Sequence, residues 1–175
     1  MKVGLTHIYC GDGKGKTTAA IGLAVRCAGG GGKVLFYQFM KGNKSSERAL
    51  LESSENITLI NGKENQKFVW NMNEEEKHLS RNLYTEEFKR ITQIAETEKY
   101  DLLILDELLS AVSCGFVPLK IVTDFLKLKS VTLEVVITGR NPNSELIALA
   151  DYVSEIKKVK HPFDKNISAR HLIEF

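Results

Sequence analysis

Nowhere in this chain does an apolar run approach the roughly 20 residues that a helical membrane span needs. The N-terminus, MKVGLTHIYC, lacks the apolar core and small-residue cleavage site of a secretory signal. Cysteine is scarce and odd in number (Cys10, Cys27 and Cys114), and no Cys-x-x-Cys pair occurs. That argues against a disulfide framework and a zinc knuckle, and three reduced thiols in a cytoplasmic protein are the expectation. An excess of charge of one sign is missing too, since 24 Lys and Arg face 22 Asp and Glu for a net +2. So small a balance gives no reason to expect a nucleic-acid or membrane partner. No internal repeat, low-complexity stretch or linker interrupts the chain.

What is present is one domain's worth of ordinary globular sequence. The 175 residues are 43% hydrophobic and 26% charged, enough for a single core spanning residues 1–175. Strand and helix signals alternate. Residues 3–9 are short and apolar, and 17–28 are rich in Ala, Ile and Leu and stop at four glycines. Residues 34–39 and 57–60 read as strands. Asn73 before Glu74, Glu75 and Glu76 is a helix cap, and helical spacing of apolar residues runs from there to about Lys99. The aliphatic run 102–105 suits a strand buried on both faces. Residues 118–128 predict a helix, 133–138 a strand, 144–150 a short helix and 152–159 a last strand. Strands separated by helices imply right-handed crossovers and a mostly parallel α/β sheet. The polar stretch 42–73 is expected to be the mobile active-site loop.

The strongest chemical signal is Gly11-Asp12-Gly13-Lys14-Gly15-Lys16-Thr17-Thr18, between an apolar strand and a helix. Glycines let successive amides turn toward phosphate oxygens, and the following helix start adds its positive end. Lys16 brings an ammonium to the phosphates and Thr17 a hydroxyl to Mg²⁺. The spacing is one residue short of the usual pattern: Cys10 stands where the first glycine would be. Asp106-Glu107 ends the strand 102–105, where a carboxylate of the magnesium site is expected. Thr138-Gly139-Arg140 ends another strand on the same expected edge, so Arg140 is placed to reach phosphate.

These and other segments occur in an order that resembles the P-loop ATP:corrinoid adenosyltransferases. The matching stretches are Tyr9 through Ala20, Gly22-Leu-Ala-Val-Arg26, Gln38-Phe-Met-Lys-Gly42, Phe68-Val-Trp70 and Tyr100-Asp-Leu-Leu-Ile-Leu-Asp-Glu107. They continue through Thr138-Gly-Arg140, Ala150-Asp-Tyr-Val-Ser-Glu155, Lys160-His-Pro-Phe163 and Ile173-Glu-Phe175. The family shares the shortened loop. The resemblance implies a RecA-like P-loop fold, a homodimer, and adenosyl transfer from ATP to the cobalt of a reduced corrinoid with release of tripolyphosphate. It implies ATP held by the 11–18 loop with Gln38, Lys41 and Arg140. Thr17, Glu107 and, as the close alternative, Asp106 would hold Mg²⁺ or Mn²⁺. Phe68 and Trp70 match the aromatic pair that displaces the lower cobalt ligand. A reductase or flavoprotein electron donor would supply cobalt(I). Longer members carry an N-terminal arm over the active site, which this sequence, starting at its first strand, is expected to lack. Three positions depart from the family pattern: Cys10 replaces Thr or Ser, and Asn166 and Leu172 replace glycines. By the loop alone, a RecA-like ATPase or phosphotransferase is the alternative, but it leaves Phe68-Val-Trp70 unexplained.

Overall fold

The structure is a computed structural model and describes residues 3–43, 45–62 and 69–174. Among these residues six strands form one sheet: β1 (Thr6–Cys10), β2 (Val34–Gln38), β3 (Ile57–Ile60), β4 (Leu102–Asp106), β5 (Glu134–Thr138) and β6 (Tyr152–Glu155). Their order across the sheet is β3-β2-β4-β5-β1-β6 and every pairing is parallel. Strand β5 therefore lies between the strand that feeds the glycine-rich loop and the strand that ends in Asp106. This is the RecA-like architecture that the resemblance implies.

Period-two alternation sorts the strand side chains onto two faces. Val34, Phe36, Leu102, Ile104 and Val136 meet α1 (Lys16–Gly29), which presents Ala20, Ala24 and Ala28. Those three alanines let the helix lie close on the sheet. Leu35, Tyr37, Leu103, Leu105, Val135 and Ile137 face the other way, onto Tyr84, Phe88, Ile91 and Ala95 of α3 (Glu74–Thr97). The same side is closed by Leu108, Leu109 and Ala111 of α4 (Leu108–Ser113) and by Val122 and Leu126 of α5 (Leu119–Leu128). Helix α3 begins with a capping box: Asn73 accepts from the Glu76 amide, and the Glu76 side chain accepts from the Asn73 amide.

Two short helices were not expected. The first, α2 (Glu47–Glu52), falls within the stretch read as an irregular loop, and packs Leu51 against the α1 face. The second, α4, starts directly after Glu107, whose φ of 60° lets the chain turn from strand into helix in one residue. Both have six residues, too few for a helical period to stand out. Strand β6 is shorter than the predicted 152–159, and α6 (Ser144–Leu149) starts from Asn143, whose side chain accepts from the Glu145 amide and caps it. Pro118 is the residue before α5 rather than inside its first turn.

Leu103 is fully buried in β4, one of the two central strands of the sheet. Leu103→Ala is expected to lower unfolding free energy by about 2–5 kcal/mol with an unchanged denaturant slope, as for other large-to-small core changes. Urea unfolding followed by circular dichroism tests this; a loss under about 1 kcal/mol would mean a poorly packed sheet.

Candidate active site

Parallel pairing sends every strand's carboxyl end to one edge, and register decides which residues stand level there. Gln38 pairs with Asp106 and Tyr9 with Thr138. The Asp106 carboxylate is completely buried. It accepts hydrogen bonds from Thr138 Oγ1 at 2.6 Å, from Thr17 Oγ1 at 3.0 and 3.2 Å, and from Gln38 Nε2 at 3.3 Å. Lys41 Nζ donates to Asp106 at 2.9 Å and to Thr17 Oγ1 at 3.0 Å. Thr138 Oγ1 in turn accepts from the Glu107 amide at 2.9 Å. Three segments distant in sequence thus meet on one carboxylate.

The glycine-rich loop is shaped partly by its neighbour β6. The Gly13 amide donates to the Ile156 carbonyl at 2.8 Å, and the Ile156 amide to the Cys10 carbonyl at 2.8 Å. A Cβ on Gly11 would stand 2.4 Å from that Ile156 oxygen, and one on Gly13 2.8 Å. Gly11 and Gly13 are therefore small because another backbone crosses them. The Gly13 amide, expected to face phosphate, is committed to Ile156. Gly15 has open space around it but φ of 119°, a conformation that an L side chain resists.

Lys16 is nearly buried and donates to the Gly13 carbonyl at 2.8 Å. Burial pushes the pKa of its ammonium down, against the opposing pull of Glu107, Asp12 and Asp106, while Arg140 adds to the fall. Arg140 is exposed and lies close enough to act on both Lys16 and Asp12. The Asp12 carboxylate accepts from the Lys158 amide at 2.9 Å, which holds its pKa below the ordinary range. Lys14 pairs with Glu174 at 3.0 Å. Cys10 is buried, and burial raises its thiol pKa.

Of the two candidate metal carboxylates, Asp106 is the one in contact with Thr17. Glu107 instead accepts from the Ser110 hydroxyl at 2.6 Å and lines the adjoining cleft. That cleft has a volume of about 480 Å³. Its floor is Lys14 to Thr18, with Lys41 and Glu107; Ile21, Leu50, Leu172 and Ile173 give it apolar walls. Thr17 and Asp106 offer hard oxygen donors, and among the described residues no three or more His, Cys, Asp or Glu side chains are grouped so that they could hold a metal ion. So few protein oxygens would suit a magnesium ion, which keeps water and takes phosphate oxygens as its remaining ligands.

Trp70 lies in a short 3-10 helix, Val69–Asn71, and is 77% exposed. It is not among the residues lining the cleft. Phe68 and the rest of 63–68 lie outside the described residues. Sequence reasoning missed Arg48, a buried guanidinium on α2 that donates to Gln38 Oε1 at 3.3 Å and also to Asn61. No local signal marks it, because an arginine one helical turn from an apolar residue ordinarily carries its head group out to water. Also missed was the return of residues 172–174 onto the loop. Both predicted glycine-like positions do adopt left-handed backbone, Asn166 at φ 57° and Leu172 at φ 68°. For Leu172 that conformation costs on the order of 1 kcal/mol, and its side chain stands on the rim of the cleft, largely exposed.

A model of the family described as ATP:corrinoid adenosyltransferase BtuR/CobO/CobP matches residues 2–175. The corrinoid adenosyltransferase of Escherichia coli K12 is 34% identical over 175 residues, covering 98% of this chain and 86% of that one. Corrinoid adenosyltransferase CobA of Salmonella typhimurium is 33% identical with the same coverage. That of Pseudomonas aeruginosa is 30% identical, over 98% of this chain and 84% of its own. Among solved structures, the cytoplasmic domain of EssC superposes with a TM-score of 0.50 at 15% identity. It covers 98% of this chain, which spans only 37% of that longer one, and shows the fold alone.

The ion pairs of Glu174 generate a pH expectation. Hydrogen bonds from Arg170 and Lys14 hold its carboxyl down to about 2. A depressed folded value means the contribution is present in full above the ordinary carboxylate pKa and disappears as pH falls toward 2. Carbon-detected NMR of Glu174 should show a midpoint well below 4. A midpoint at the ordinary value of about 4.3 would mean that the tail does not rest on the loop in solution.

Proposed function

Because the chain belongs to the ATP:corrinoid adenosyltransferase family and is a transferase that adenosylates a corrinoid with ATP, we propose that the reaction is run by the cluster at the sheet's carboxyl edge and that the triphosphate leaves intact. The observation that carries this reading is the convergence of Lys16, Lys41, Thr17 and Asp106 beside a loop bent at Gly15. In the proposed step, the electron pair of substrate cobalt(I) attacks the 5′ carbon of ATP. The carbon–oxygen bond breaks, its electron pair leaves with tripolyphosphate, and cobalt becomes formally trivalent.

Since the metal centre of the substrate is itself the nucleophile, the chain needs only to position the two substrates and stabilise the leaving group. Lys16 exchanges the Gly13 carbonyl for phosphate oxygens. Lys14, released from Glu174, and exposed Arg140 reach the same polyanion. Loop amides other than that of Gly13 complete the cradle. Thr17 and Asp106 would hold Mg²⁺ or Mn²⁺, which when bound neutralises charge building on the leaving oxygens. The apolar wall of Ile21, Leu50, Leu172 and Ile173 suits the uncharged adenosine half of ATP. Trp70, exposed on its short helix, with Phe68 beside it in sequence, is suited to lie against the corrinoid and exclude a polar lower ligand. An electron-donating reductase or flavoprotein, a second copy of this chain and a cytoplasmic location complete the proposal.

The test is an anaerobic assay with ATP, cob(I)alamin and a chemical reductant, following the visible spectrum and phosphorus NMR together. The expected outcome is a cobalt–carbon bond and one equivalent of tripolyphosphate. Lys16→Ala should lower kcat by about 100-fold or more, the loss typical of removing one preorganised charge donor. Release of orthophosphate with no cobalt–carbon bond would replace this reading with an ordinary ATPase.

A further inference from the structure

We propose that Lys41 is a displaceable stand-in for the metal ion, filling the cation position between Thr17 and Asp106 until a divalent ion enters and then turning to the phosphates. The inference rests on the reading that Thr17 and Asp106 hold the metal of ATP.

The geometry is specific. Thr17 Oγ1 lies 3.0 and 3.2 Å from the two Asp106 oxygens. Neighbouring ligands of an octahedral ion at about 2.1 Å are themselves about 3 Å apart, so both oxygens can share one ion without moving far. Lys41 Nζ sits on that pair, 3.0 Å from Thr17 and 2.9 Å from Asp106. An ammonium and a divalent ion cannot both occupy that place, by volume or by charge. Among the described residues, Lys41 is the cation in direct ion-pair contact with Asp106, whose other donors Thr138, Gln38 and Thr17 are neutral. A buried carboxylate without a counter-charge is costly, so the ion-free protein needs this substitute.

Displacement asks little of the backbone. The neighbouring Met40 amide is bonded to the Tyr84 hydroxyl at 3.2 Å, and Gln38 is held in β2. Lys41 itself is one-third exposed and lines the 480 Å³ cleft with Lys14 to Thr18. Rotation of its side chain alone carries the ammonium from the carboxylate into the space proposed for triphosphate. Metal and polyphosphate then help each other: the ion drives Lys41 out, and the phosphates receive it.

Binding of Mn²⁺ measured by electron paramagnetic resonance, without nucleotide, tests the proposal on the whole chain. Lys41→Met and Lys41→Gln should each bind Mn²⁺ at least tenfold more tightly than the parent, and melt lower without metal but recover when it is added. Inorganic tripolyphosphate should tighten Mn²⁺ binding in the parent by a much larger factor than in either variant. Equal or weaker Mn²⁺ binding in a folded variant, or unchanged coupling to tripolyphosphate, overturns the stand-in role. Asp106→Asn separates the two failures. If it loses Mn²⁺ while the Lys41 variants gain nothing, only the stand-in idea falls. If it holds Mn²⁺ as the parent does, the metal is elsewhere and the underlying reading falls with it.

Discussion

A carboxylate that never touches solvent organises this molecule's working edge. Asp106 closes β4, and its charge has to be met by donors drawn from other segments. Thr17 comes from the start of α1, Gln38 from the end of β2, Lys41 from the turn after it, and Thr138 from the end of β5. Removing any one of them leaves a buried lone pair unsatisfied, at a cost of about 1–3 kcal/mol. The carboxylate therefore fixes the relative positions of three strand ends and one helix start. Because the strands are all parallel, no other edge of the sheet could bring those ends together.

The glycine-rich loop depends on that frame from one side and on β6 from the other. Ile156 continues β6 past its last paired residue and lays its backbone across Gly11 and Gly13. This gives β6 a reason to exist despite burying almost nothing of its own, as all four of its residues are exposed. Its contribution is backbone: a parallel ladder to β1, extended by the Ile156 amide onto Cys10, and a hydrogen bond from the loop's Gly13 amide to the Ile156 carbonyl. A side chain at either glycine would have to displace the Ile156 carbonyl, so the shortened loop and the strand that supports it are one device.

What could be read in the sequence was whatever repeats with a period or stands at a fixed spacing. Runs such as 34–39 and 102–105, the Asn73 cap and the Gly-Lys-Thr triplet each carry their information within a few neighbouring residues, and the structure places an element at each. The choice between Asp106 and Glu107 could not be read there, because both end the same strand. Only the turn at Glu107, φ 60°, sends one carboxylate inward to Thr17 and the other to Ser110 and the cleft. Arg48 escaped for a related reason: its partners Gln38 and Asn61 are set by the fold. The commitment of the Gly13 amide to Ile156 joins residues more than 140 positions apart, a pairing that local pattern does not encode.

Among the described residues, three lysines surround the cleft, and each is already held by an internal group. Lys16 rests on a main-chain carbonyl, Lys14 on the Glu174 carboxylate, and Lys41 on Thr17 and Asp106. A polyphosphate bound here as proposed would not have to order three long, wandering side chains, which would cost about 0.5–1.5 kcal/mol apiece. It would exchange one oxygen partner for another at each. The tightness of those internal contacts then sets a limit on affinity, since every bond to phosphate is counted against a bond given up. Such a site favours the ligand able to satisfy all three at once. On the reaction proposed above, a triphosphate would meet that condition better than a mono- or diphosphate, and a departing tripolyphosphate, with its added charge, better still.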